Sequence, residues 1–485
     1  MFPATHRPVR GGDSHAGRYR EDSTMPRPFS PFRSDDDRDA DQRRARELQE
    51  QYADEVSAVA VTFIDNSGAS RVKSVPLEGL DRAAHSGLGF SPVIDAFDSL
   101  GGINPASPLD KPDGDLRMVP DLDSFAPLTS PLGWAWAPGD RFWPDGSGYA
   151  GDQRSFARAQ VAASLEQGIS AVMAFEVEWM VGLDEDDFQP AMRGTGYGMS
   201  RLLAGADYAR DVMDSLAAAG VQVLQLHPEY GPGQFEVSVA AQDPVTAADT
   251  NVLVKLIISA VTAEYGWRAA FGPAVLTGNV GNGGHLHASF WSDGQNLLAG
   301  GPGRHGLTER GESMAASLLD SLPALLAVGA PSPASYLRLQ PSVWAGAFQI
   351  WGNENREAAL RFIEGGSAGP GAANLELKCF DNSANPYLVV GSVLAVALAG
   401  ADRKAVLPAE VSGDPASPSN PAAGQAARLP GSLDGTVAAL EANEALRAAL
   451  GPELLAGFVA ARRAEIELAD GKSDEEIIAM SRWIL

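Results

Sequence analysis

The chain has 485 residues, of which 45% are apolar and 20% charged, usage that fits a large globular protein and excludes a wholly disordered or fibrous one. Acidic residues outnumber basic ones 62 to 37, a formal charge of -25. A surface that acidic repels phosphate backbones and anionic headgroups, so neither nucleic acid nor membrane is an expected partner. Cys379 is the one cysteine, which excludes an intrachain disulfide and a thiolate metal cage and fits a reducing cytoplasm.

Residues 1–50 carry ten Arg and ten Asp or Glu and no run of large apolar side chains. They are expected to form a disordered charged tail, with helix-friendly composition only from Asp35 onward. No apolar core segment follows the early basic residues, so no secretory signal is expected and the protein is placed in the cytoplasm. The run SAVAVTFIDNSGASRVKSVP predicts a β-hairpin turning at Asp65-Asn66-Ser67-Gly68. Further strand-like pieces at Leu116–Leu122 and Gly133–Gly139 extend it into a small β-rich domain over 51–145. From 146 to 485 amphipathic helices alternate with apolar strands, an α+β texture, and the chain reads as helical from Pro430. The most apolar run, Leu388 to Gly400, is 13 residues long, short of the roughly 18–20 needed to cross a bilayer.

Three blocks concentrate chemistry. In Phe175-Glu176-Val177-Glu178-Trp179 strand geometry sends both carboxylates to one face. Two such acids are either neutralised by cations or solvated on an exposed sheet. In HPEYGPGQFEVS, Glu229 and Glu236 flank a Gly-Pro-Gly turn, so a hairpin brings both carboxylates near one point. In GNGGHLHASF, His285 and His287 alternate on an extended stretch behind a glycine-rich approach, a pattern suited to a metal or phosphate ligand. Arg338, Arg356 and Arg361 follow, with Glu376 and Lys378 in NLELKCFDNSANPYL. Planar guanidinium forks in an acidic protein suit recognition of phosphate or carboxylate. Five Glu and one His without Cys favour Mg²⁺ or Mn²⁺ over zinc, and five carboxylates imply two or more ions. Metals beside Arg forks are the apparatus of phosphoryl transfer.

These blocks together resemble the glutamine synthetase family from about Val59 to the C-terminus. The carriers are VTFIDNSGASRVKSVP, GDLRMVPDL, FEVE, HPEYGPGQFE, GNGGHLHASF, SYLRLQP, NENREAALR and LELKCFDNSANPYL, in the family's order. The resemblance implies a small β-grasp-like N-terminal domain over 51–145 and a catalytic domain over 146–485 built on a curved antiparallel sheet flanked by helices. It implies homo-oligomers, rings of six that pair into twelve, with ATP, glutamate and an amine or ammonium as substrates. Glu178, Glu229 and Glu236 would hold one metal ion, and Glu176, His285 and Glu376 a second. His287 and Ser289 would lie along the nucleotide. Arg356 and Arg361 would neutralise the transferring phosphoryl group, while Arg338 and Gly281 would bind glutamate.

Departures from the family pattern point to the amine. Trp344 stands where the family flap carries the Glu that guards ammonium, and its ring suits the packing or cation–π binding of an alkylamine. Gly89-Phe90-Ser91-Pro92 replaces a stretch whose Asp also reaches ammonium. Lys378 replaces an Arg, removing a bidentate fork from the substrate-binding set, and Val280 replaces an Asn. The resemblance therefore implies an ATP-dependent ligase forming γ-glutamyl amides from glutamate and an organic amine, a polyamine or small alkanolamine. The alternatives are a true glutamine synthetase using ammonium and a catalytically silent relative acting as a scaffold.

Overall fold

The computed structural model describes residues 29–185 and 187–484. Residues 1–28, the greater part of the expected charged tail, lie outside the described residues. The remainder of that segment is corrected: α1 (Asp35–Gln51) is a helix, opened by a capping box in which Ser34 and Asp37 bond reciprocally and by three acids in its first turn that favour the positive end of the helix dipole. Its Ala45 and Leu48 are buried in a small core with Val59, Val61 and Leu80. That apolar stripe, too sparse to stand out among the charges, anchors the helix.

The smaller sheet contains β1 (Ala58–Ile64), β2 (Ser70–Pro76), β3 (Leu88–Phe90), β4 (Leu116–Pro120), β5 (Ala126–Pro127) and β6 (Trp134–Phe142), ordered β2-β1-β6-β4-β3 with β5 beside β6. The expected hairpin is β1–β2, paired from Ala58–Pro76 to Ile64–Ser70. Its turn closes with Gly68 at φ +89°, backbone that a side chain strains. β1 pairs parallel with β6. The helix α2 (Leu80–Ser86) covers part of this sheet.

The larger sheet holds β7 (Ser170–Leu183), β8 (Val223–Pro228), β9 (Gln234–Val239), β10 (Trp267–Ala270), β11 (Gly284–Ser292), β12 (Gln295–Asn296), β13 (Phe348–Asn353), β14 (Ala358–Ile363) and β15 (Asn374–Leu377). Its order is β13-β14-β15-β11-β7-β9-β8, with β10 beside β7 and β12 beside β11. The pairs are antiparallel except β13–β14, which run parallel.

The helices are α3 (Gln153–Glu166), α4 (Met199–Ala204), α5 (Ala206–Ala218), α6 (Pro244–Glu264), α7 (Glu309–Gly329), α8 (Ser335–Arg338), α9 (Pro386–Gly400), α10 (Leu433–Ala442), α11 (Glu444–Ala469) and α12 (Asp474–Ser481). α9 starts on Asn385, whose side chain accepts from two backbone N–H groups, followed by Pro386 at the first helical position. The apolar run of the sequence is this helix, packed between α3 and α7 and buried almost throughout. α6 is long and apolar enough to cross a membrane, but most of it is buried against β7, α5 and α9. The architecture is the expected α+β arrangement.

The two sheets are locked together by buried polar contacts. Arg141 of β6 binds Asp95 at 2.8 Å and Asp152, the N-cap of α3, at 2.6 Å, with all three side chains essentially out of water. Asn385 donates to the carbonyls of Ile64 and Asp65, and Arg462 of α11 donates to that of Asn66 at 2.7 Å. The hairpin turn is thereby fixed against the helices that carry the larger sheet.

Candidate active site

Sheet register gathers the site. β7 alternates Phe175, Val177 and Trp179 into the core, so Glu176 and Glu178 project from the opposite face. Glu178 lies opposite Glu236 of β9, which lies opposite His227 of β8. Glu176 lies opposite His285 of β11. Two residues further along β11, His287 faces Glu376 of β15, which faces Arg361 of β14. Residues as far apart in the chain as Glu176 and Glu376 thus form one patch on one side of the sheet, because cross-strand partners share a face.

The patch floors a cavity of about 600 Å³ lined by Glu176, Glu178, Glu229, Glu236, His285, Arg338, Trp344, Arg356, Arg361 and Lys378, with Gly281 and Val280 at one wall. A larger groove of about 950 Å³ lies between α11 and the loop at Asn104–Pro108. Its lining is mainly apolar and holds no histidine, and its Glu441, Glu444 and Glu467 are not among the described groups close enough to share an ion, so chemistry rather than size identifies the site.

Inside the cavity His285 Nδ1 lies 3.4 Å from Glu176 and 3.2 Å from Glu376, with its Nε2 3.8 Å from Glu178. His287 Nε2 is 3.4 Å from Glu176. Glu376 is also held by Arg361 at 2.9 Å and Lys378 at 3.1 Å. Arg338 Nη2 sits 3.1 Å from His285 Nε2 and donates to the Lys378 carbonyl. Only a glycine fits at 283: a Cβ there would stand 2.2 Å from His285 Nε2, and the close approach lets the Gly283 N–H donate to Glu178 at 2.9 Å.

The electrostatics are those of a site that attracts cations. Burial pushes the Glu236 carboxyl up to about 8, with the Glu176 and Glu178 charges adding to it against the opposing bond from His227. Burial raises Glu178 likewise. Burial opposes ionisation of Glu176 and Glu376 too, yet the neighbouring imidazoles of His285 and His287 hold Glu176 well below the usual range, and Lys378 with His285 does so for Glu376. The carboxylates draw protons onto the imidazoles: His285 rises to about 9 despite burial. His285 Nδ1 is buried with no hydrogen-bond partner. Carboxylates this crowded, beside an unbonded imidazole nitrogen, fit hard divalent ions.

Single donor atoms of Glu176, His285 and Glu376 lie within 4.8 Å of one another, the expected second set. The expected first set divides between two groupings of the same kind, His227 with Glu229 and Glu236, and Glu176 with Glu178 and Glu236. Glu236 bridges them. Ser289 lies further along β11, its hydroxyl accepting from Trp291 Nε1, and does not line the cavity.

Four further residues shape the site. His227 sits 3.3 Å from Glu236, and Gln234 donates to Glu178, to the Gly281 carbonyl and to Asn282. Both lie in the HPEYGPGQFE block, so their neighbours were the signal. The Tyr197 hydroxyl donates to Glu229 from a left-handed residue in an irregular loop, where no periodicity marks it. Glu357 accepts from the Trp344 N–H at 2.8 Å, masked in the sequence by the neighbouring Arg356.

Comparison with known proteins agrees with this geometry. Residues 150–479 match the family model of the glutamine synthetase catalytic domain. Over 377 residues the chain is 50% identical to gamma-glutamylpolyamine synthetase GlnA3 of Streptomyces coelicolor, covering 76% of this chain and 80% of that protein. It is 27% identical over 348 residues to glutamine synthetase of Pyrococcus abyssi, 71% of this chain and 75% of the other. A crystal structure described as a novel glutamine synthase homolog shares the fold with a TM-score of 0.79 at 32% identity, covering 87% of this chain and 97% of that one. The fold and these matches define an ATP-dependent carbon–nitrogen ligase. The chain belongs to the glutamine synthetase family.

Proposed function

We propose that the protein joins the γ-carboxyl of glutamate to an organic amine, a polyamine foremost, through a γ-glutamyl phosphate made from ATP. The observation that carries this reading is the Trp344 ring, 51% exposed at the mouth of the carboxylate-floored cavity, where the sequence departs from the ammonium-guarding Glu. The gamma-glutamylpolyamine synthetase similarity supports it. An aromatic face attracts an alkylammonium and packs on its methylenes, neither of which ammonium exploits.

In this reading Arg338 and the Gly281 backbone hold glutamate, with Lys378 beside them. Arg356 and Arg361 face the phosphoryl group and cancel its charge, as planar forks do, and His287 lies toward the nucleotide, while Ser289, outside the cavity and bonded to Trp291, has no part in this reading. Glu178, Glu229 and Glu236 would hold one Mg²⁺ or Mn²⁺ ion and Glu176, His285 and Glu376 a second; bound there, the ions would supply charge neutralisation on the phosphates. Phosphorylation gives the carboxyl a good leaving group, and the amine then displaces phosphate. The protein is expected to be cytoplasmic and to assemble as a homo-oligomer of hexameric rings, single or paired, a state that sedimentation would measure.

The test is phosphate release from ATP, glutamate and Mg²⁺ with a panel of putrescine, spermidine, spermine, ethanolamine and ammonium. Turnover with at least one organic amine exceeding that with ammonium is expected; strong turnover with ammonium alone overturns the proposal.

A further inference from the structure

Three residues in the segment after Pro341 take left-handed backbone: Ser342 at φ +61°, Trp344 at +59° and Gly346 at +72°. For Ser and especially Trp this conformation is uncommon, costs of order 1 kcal/mol or more, and persists only where the surroundings impose it. Two contacts impose it here. The Ser342 hydroxyl donates to Asp414 at 2.7 Å. The Trp344 N–H donates to Oε1 of Glu357 at 2.8 Å.

Glu357 is an unusual anchor. It is only 5% exposed, so its carboxylate is kept from water and depends on the backbone of the segment after Pro341 that faces it, Trp344 first and Ser342 second. It immediately follows Arg356, which lines the reaction cavity, and immediately precedes β14, which carries Arg361 opposite Glu376. Its partner Trp344 meets Tyr230 at the cavity mouth. One carboxylate therefore connects the β13–β14 turn, with Arg356 just before it and Arg361 on the strand that follows, to the loop that bears the aromatic mouth.

We infer that Glu357 is a positioning residue for amine selection: by pinning the Trp344 backbone it sets where the aromatic mouth stands relative to Arg356. The inference rests on the amine-ligase reading above and adds the residue that enforces it. Glu357 touches no reacting atom in this scheme and acts through Trp344.

The experiment compares Glu357→Ala, Glu357→Leu and Glu357→Gln in the full-length enzyme, with KM measured separately for amine, ATP and glutamate. Ala and Leu remove the acceptor, and Leu keeps the buried volume filled should Ala fail to fold. Both are expected to raise the amine KM about tenfold while the ATP and glutamate KM values move less than about threefold. Gln keeps an oxygen able to accept from Trp344 and is expected to stay within about threefold of the parent on all three. In a Trp344→Ala background the Glu357 substitutions should add less than about twofold to the amine KM, since both act on one element. Equal losses for all three substrates, an effect that persists in that background, or no effect of Leu overturns the inference. A parent enzyme that turns over ammonium alone overturns the amine reading instead, and the same series read on ammonium KM then decides the role of Glu357 separately.

Discussion

The indole of Trp344 meets the ring of Tyr230 edge-on, with centroids 5.7 Å apart and planes at 79°. The pair joins the flap-like segment after Pro341 to the β8–β9 turn, and both rings are more than half exposed beside the cavity. Aromatic faces at such a mouth attract an alkylammonium by about 0.5–2 kcal/mol, so Tyr230→Ala is expected to raise the KM for a polyamine about 2- to 30-fold and leave that for ATP unchanged. Trp344→Glu places a carboxylate there and is expected to shift preference toward ammonium. Steady-state kinetics with each amine check both.

The carboxylate patch makes metal affinity depend on pH. Because burial and its neighbours push Glu236 up to about 8, the metal-free protein keeps a proton there that is absent from the unfolded chain above an ordinary Glu value of about 4.3. The metal-free fold is favoured below that ordinary value and loses this contribution as pH rises through about 8. A divalent ion replaces the proton. Thermal shift with Mg²⁺ against chelator is therefore expected to show stabilisation that grows from pH 6.5 to pH 8.5. Glu178→Ala should abolish activity and most of the Mg²⁺-dependent shift.

Much of the site was legible before any coordinates, for a reason that the register explains. Glu176 with Glu178, and His285 with His287, occupy alternate positions on β7 and β11, and alternation is the one three-dimensional fact that a strand writes directly into its sequence. Which strands are neighbours across the sheet is not written there: that His287 faces Glu376, or that Glu178 lies opposite Glu236, comes from pairings between residues far apart in the chain. Irregular segments carried the omissions. Tyr197 and the Glu357 bond to Trp344 depend on left-handed backbone with no periodic signature. The helix-friendly composition from Asp35 does become α1, but its packing was hidden because the buried stripe of Ala45 and Leu48 is diluted by charge.

Arg141 offers a test of how the two sheets hold together. Its guanidinium binds Asp95, Asp152 and Gln153 and stacks over Phe63 at 4.5 Å, wholly buried. Removing one partner of a buried ion pair leaves uncompensated charge, and here two carboxylates would lose their cation. Arg141→Met is expected to destabilise the protein by about 3–5 kcal/mol. A fall in the urea midpoint without change of slope measures this; an unchanged midpoint rules it out.

His305 gives the last prediction, on pH and stability. Its Nδ1 lies 2.7 Å from Glu364 and its Nε2 2.8 Å from Glu410, and only the imidazolium donates from both nitrogens at once. Burial alone would lower its pKa, but the bonds to Glu410 and Glu364 outweigh that and raise it. The same carboxylates accept from Asn353, so the clamp fixes the end of β13 from which the chain runs to Arg356. A histidine whose folded pKa is raised adds stability that is fully present below its unfolded value of about 6.5 and is lost as pH rises through the folded value. Asn tolerates the left-handed φ of +54° at this position and cannot bridge two carboxylates. His305→Asn is therefore expected to lower Tm most near pH 6, with the gap from the parent narrowing toward pH 9. A gap constant across that range, or one that widens with pH, would show that the imidazolium clamp does not contribute.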